Sequence, residues 1–235
     1  MSCHRPVTAW TTVIRLSLPH GSTPQATVLT VWRLGRVRAR SCALTAVATG
    51  LAGWLRRPEQ TVRQPRREFC DEAEATRGDQ RQALGVEPGL GPLLAWVLSR
   101  WQGSPLAVAL AATTLGTRFT VLAISVVSRG GAIPVAGTLL PAHHPQAWRR
   151  DWRRLLRQLR PASPRTWTVI VLADRGLYAR WLVGRIGRWG WPPCVRVNHG
   201  GTVRPDPQAA YRPLHSFAPQ PGTRWRGTGT AFTPP

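Results

Sequence analysis

No lysine occurs anywhere in the 235 residues, and acids are scarce: 10 oppose 32 basic side chains, all of them arginine, for a formal net charge of +22. Without lysine, every cation is a planar fork that pairs bidentately with phosphate, and the charge excess draws a polyanion from a distance. A solvated basic surface in a chain whose GC-rich coding sequence favours arginine is the plainer alternative. Coding bias accounts for the choice of arginine better than for the shortage of acids. Cysteine is sparse too. Cys3, Cys42, Cys70 and Cys194 are far apart, with no Cys-x-x-Cys pair and no histidine at ligand spacing, so they carry no metal or disulfide signature and fit a reducing cytoplasm. The histidine pair His143-His144 precedes Pro145 and reads as an exposed turn. The first 25 residues contain Arg5 but no apolar core of a secretory leader. The longest uncharged run near the front, Ser41 to Leu55, includes Thr45 and Thr49 and falls short of the roughly 20 residues of a membrane span.

What is present is enough apolar residue, 43%, to build a core in one domain with a smaller one appended. Two helices are expected at 26–36 and 41–57, joined by the basic Val37-Arg38-Ala39-Arg40. Pro65 should break or kink any helix across 62–69. The acids cluster between Glu68 and Glu87, a belt that would repel phosphate. A helix over 91–101 leads into three strands, about 106–113, 118–128 and 132–140, whose short glycine-containing connections favour antiparallel pairing. In 146–159, Trp148, Trp152, Leu155, Leu156 and Leu159 share one helical face, while Arg149, Arg150, Arg153, Arg154 and Arg157 take the other. A fourth strand, 166–173, delivers Asp174; a helix over 177–189 and a strand over 194–198 follow. From Gly200 on, 12 of 36 residues are Gly or Pro, which predicts extended, partly disordered chain. The domain boundaries expected are thus 1–90, 91–199 and 200–235.

The stretch Val169-Ile170-Val171-Leu172-Ala173-Asp174-Arg175-Gly176-Leu177-Tyr178 ends an apolar strand in one carboxylate. Asp174 there reads as an N-cap on local grounds alone. Upstream stand Leu106 to Gly116 and then Ser125-Val-Val-Ser-Arg-Gly-Gly-Ala-Ile-Pro-Val-Ala-Gly137. Together these segments resemble the core of Asp-Asp-Glu insertion-sequence transposases of the IS-four-like group. The resemblance implies an α/β, ribonuclease-H-like core (three antiparallel strands, helix, strand, helix, strand) preceded by a helical, DNA-binding N-terminal region. It also implies a bacterial cytoplasmic, nucleoid-associated location, transposon-end double-stranded DNA as partner, and a homodimer as an option.

The family pattern carries an aspartate on strand one before a small residue and two threonines. This chain has Ala111 there, followed by Ala112, Thr113 and Thr114; Ser128 and Gly137 also depart from the expected tyrosine and tryptophan. Asp174 matches the second acid and is the one catalytic and metal-binding position retained. The third, a helical glutamate downstream, has no counterpart, since no glutamate follows Glu87 and Asp206 is the only acid beyond Asp174. The resemblance thus implies a truncated, degenerate copy. The family's chemistry uses Mg2+ as a metal pair, and each acid matters because few protein ligands hold magnesium. The expectation is a chain that does not hold it productively. Arg149, Arg150, Arg153, Arg154, Arg175 and Arg180, with Arg185 and Arg188, are the expected DNA contacts, binding phosphate without reading sequence. Two readings stand: a transposase-family protein without strand-transfer activity, and a non-catalytic DNA-binding remnant that competes for transposon ends.

Overall fold

The computed structural model describes residues 4–70, 85–142, 148–197 and 200–232. Asp71, Glu72, Glu74 and Asp79 of the acidic belt, and His143 and His144, lie outside them. The chain is mixed α/β and divides into two compact units, 1–101 with 158–162, and 102–157 with 163–235.

The first unit is helical: α1 (His4–Ser17), α2 (Thr23–Ala39), α3 (Leu44–Leu55), α4 (Glu59–Cys70) and α5 (Glu87–Leu98). Helix α2 starts at a reciprocal cap, Ser22 Oγ accepting from the Gln25 N–H at 3.4 Å and Gln25 Oε1 accepting from the Ser22 N–H at 2.9 Å. It ends at Arg40, which adopts the left-handed conformation at φ 47°. Trp32, Val47, Ala48, Leu51 and Val62 form the buried cluster that ties α2, α3 and α4. Gly35 lets α2 and α3 approach closely, since a Cβ there would stand 2.6 Å from Leu51 Cγ.

One helix of this unit was not expected, and one expectation needs correction. Helix α1 carries no sequence expectation; Thr, Val and Ile crowd it, and β-branched residues blur a helical signal. Pro65 does not break α4. Its lost N–H bond is tolerated where Arg63 Nε donates to Glu59 Oε1 at 2.7 Å and Val62 is buried in the cluster.

The second unit is built on a mixed sheet of β1 (Pro105–Leu115), β2 (Phe119–Ser128), β3 (Gly131–Pro141), β4 (Thr168–Ala173) and β5 (Pro193–Val195), in the order β3-β2-β1-β4-β5. β1, β2 and β3 pair antiparallel, while β1 with β4 and β4 with β5 pair parallel. Alternation aligns one apolar face across the register: Leu106 opposite Val169, Val108 opposite Val171 and Leu110 opposite Ala173, with Ile124 and Val126 across from Leu110 and Val108. These residues are buried. So are Trp152, Leu155 and Leu156 of α6 (Arg149–Leu159) and Leu182 and Ile186 of α7 (Arg180–Gly187).

Helix α7 begins three residues later than its apolar pattern suggested. Residues Arg175–Leu177 form a 3-10 turn capped by Asp174 before the helix starts. The Gly- and Pro-rich stretch after 200 is not uniformly irregular either. β6 (Thr202–Arg204), β7 (Arg212–Pro213) and β8 (Thr230–Ala231) make a small antiparallel sheet with β6 central. Gly229 permits it, because a Cβ there would lie 2.7 Å from the Arg204 carbonyl oxygen.

Candidate functional site

Two concavities gather the polar side chains singled out by the sequence. The first lies at the C-terminal edge of the parallel strands and is lined by Ala109, Leu172, Asp174, Cys194 and Arg196 among others. Strand β4 delivers Asp174 in extended conformation at φ −77° and ψ 168°, and the chain then turns. Its Oδ1 accepts from the Arg175 N–H at 2.7 Å, and its carbonyl accepts from the Leu177 N–H at 2.9 Å, so the residue caps the 3-10 turn.

Residue 111 belongs to the same edge. The last paired residues of β1 and β4 are Leu110 and Ala173, so Ala111 and Asp174 are the residues that directly follow the paired register on the two chains. Both are exposed. On the other flank the Arg196 N–H donates to the Ala173 carbonyl at 2.9 Å, and Arg196 Nη1 lies 3.9 Å from Asp174 Oδ1. Both side chains of this pair are largely exposed, at 75% and 69%, so the attraction is screened.

This edge does not fit the magnesium pair implied by the resemblance. Among the described residues no three His, Cys, Asp or Glu side chains come together as ligands. Asp174 has the Arg196 guanidinium at 3.9 Å, and a cation beside the carboxylate disfavours a divalent ion. Sequence reasoning did not single out Arg196. Its position depends on the parallel register of β5, which no local pattern encodes.

The second concavity lies between α6 and α7 and is lined by Arg149, Arg153, Arg180, Trp181, Gly184, Arg185 and Arg188. Helical spacing assembles it: Arg149 and Arg153 are four apart on α6, and Trp181, Arg185 and Arg188 follow at four and three. The Arg149 guanidinium stands 5.9 Å from the Trp181 ring centroid, and Arg188 Nε donates to the Gly184 carbonyl at 3.1 Å. Partial burial, followed by Arg153, Arg188, Arg157 and Arg149, holds the Arg185 guanidinium below its ordinary range.

The six arginines expected to contact DNA therefore separate. Arg149, Arg153 and Arg180 converge. Arg154 is engaged elsewhere, 3.4 Å from Asp151 Oδ1 and donating to Thr138 Oγ1 at 3.4 Å. Arg150 is exposed, and Arg175 is exposed on the turn after Asp174.

No protein-family model matches the chain, and no curated protein is similar to it. Among solved structures, a chain in the crystal structure of the Mos1 strand transfer complex aligns at 14% identity and a TM-score of 0.27, over 71% of this chain and 56% of that one. A likeness that slight assigns neither fold nor function. Among the described residues no helix is long and apolar enough to cross a membrane.

Proposed function

We propose that the chain is a transposase-family protein with a ribonuclease-H-like sheet, one that binds double-stranded DNA and neither cleaves nor joins it. The observation that supports this reading is the parallel pairing of β1 with β4, which ends at Leu110 and Ala173, the residues immediately before 111 and 174. The insertion-sequence family that the sequence resembles keeps its first two acids at the corresponding positions. Here one of the two is alanine, and Arg196 flanks the other.

In the family, the metal pair activates the attacking oxygen and stabilises the leaving one. In this chain Asp174 caps a turn and lies 3.9 Å from the Arg196 guanidinium, which supports a reading without a productive metal pair. What remains is electrostatic: a +22 chain whose arginines converge on one cleft and hold a duplex by its phosphates.

The test is duplex binding by the full chain as salt is raised. Affinity should fall by about two orders of magnitude or more between 50 and 200 mM salt, with little preference among sequences. Affinity that does not change with salt contradicts the proposal.

A further inference from the structure

Resting on that DNA-binding reading, we propose that the cleft between α6 and α7 is the chain's principal phosphodiester seat. In it Arg149, Arg153, Arg180, Arg185 and Arg188 close around backbone phosphates of duplex DNA, over a floor made by Trp181. The other arginines then add only diffuse attraction.

Three features distinguish the cleft from a solvated basic surface. First, five like charges face one concavity, and among the described residues none of them forms an ion pair. Guanidinium groups gathered this way repel one another, so the arrangement is at its lowest energy with an anion between them. Second, the Arg153 Nε–H is buried and has no acceptor among the described residues. A buried donor without a partner is rare in folded proteins, and on this proposal a small swing of the Arg153 side chain brings it to a phosphate oxygen. Third, Trp181 fixes the approach: its ring faces the Arg149 guanidinium and holds that fork in place before any ligand arrives.

The contrast lies on the same helix. Arg154 is paired with Asp151, and Arg150 does not line the cleft. The arginine stripe of α6 thus divides into a converging half and a solvated half, although the two halves are indistinguishable in sequence. The half-buried Arg185 supports the same division, since burial and its arginine neighbours both disfavour its charge in the empty cleft. An anion relieves that penalty.

The experiment compares the wild-type chain with two double variants, Arg153→Gln/Arg185→Gln in the cleft and Arg150→Gln/Arg154→Gln outside it. Anisotropy of an end-labelled duplex is read across salt, and thermal stabilisation by inorganic phosphate is read at constant ionic strength. The cleft variant should show a slope of log affinity against log salt that is shallower by about 2, with at least a tenfold loss at low salt. The outer variant should stay near wild type. Equal losses in the two variants overturn the cleft as the seat and leave general DNA binding intact. If duplex does not bind but phosphate stabilises the wild type and not the cleft variant, the cleft stands as a free-phosphate site and the DNA reading falls. If neither ligand acts, both fall. Should the cleft variant fold poorly, Arg149→Gln/Arg188→Gln gives the same comparison from two exposed positions on the rim.

Discussion

Replacing Ala111 with aspartate tests the geometry of the sheet edge. If the β1–β4 register is extended by one residue, the new carboxylate stands about 5 Å from Asp174. Two like charges at that distance repel by about 0.8 kcal/mol in water and about 3 kcal/mol at an effective dielectric of 20. The Asp174 side chain is 69% exposed, so the lower figure governs, and Arg196 at 3.9 Å offsets part of it. The expected cost is about 0.5–1 kcal/mol at pH 7. Repulsion makes the folded chain hold the introduced proton more tightly than the unfolded chain does. The penalty is therefore complete above the carboxyl range of the folded variant and vanishes below the unfolded value of about 4. Urea denaturation of variant and parent at pH 7 and pH 3 measures both figures. Ala111→Asp with Arg196→Gln should also gain stabilisation by millimolar Mn2+ that the parent lacks, since two adjacent carboxylates suffice for a weak divalent site. Strand transfer should stay absent until a family relative's segment carrying the helical glutamate is grafted on. A loss above about 3 kcal/mol, the value for poorly solvated charges, or strand transfer from the single substitution, refutes the placement of residues 111 and 174.

Gly35→Ala should destabilise by about 1–2 kcal/mol in chemical denaturation, because overpacking against the buried Leu51 outweighs about 1 kcal/mol of helix propensity. Gly53→Ala, with no atom within 4 Å of its Cβ, should instead gain about 0.5 kcal/mol. The Tyr178 hydroxyl is buried without a hydrogen-bond partner among the described residues, and burial pushes the phenol up from its ordinary value. The unfolded chain ionises this group first, so wild-type stability should fall as pH rises above about 10, and Tyr178→Phe should abolish that component without loss at neutral pH.

Much of the sheet was legible because its alternation is simple. Leu106, Val108 and Leu110 alternate with alanines, and Val169, Val171 and Ala173 repeat that period in the strand that pairs with them. The amphipathic α6 was legible from Trp152, Leu155 and Leu156 against the arginines. The site was legible only in part. That Ala111 and Asp174 follow paired residues is what the strand pattern predicts, but that Arg196 lies near the carboxylate depends on where β5 docks. Arg153 and Arg154 are adjacent and chemically identical, and only Asp151 and Thr138 separate their roles. Pro65 was misleading because propensity is a local cost, and the packing of Val62 overrides it. The short strands β6, β7 and β8 span two or three residues each, too few to show a period.

The account's central claim is that the chain holds duplex DNA without performing phosphodiester chemistry on it. A labelled duplex incubated with the wild-type chain in Mg2+ or Mn2+ at low salt, then divided between a native and a denaturing gel, tests both halves at once. The predicted result is a duplex fully retarded on the native gel and intact on the denaturing one. Nicked or joined strands that require the metal and disappear in Asp174→Ala would contradict it.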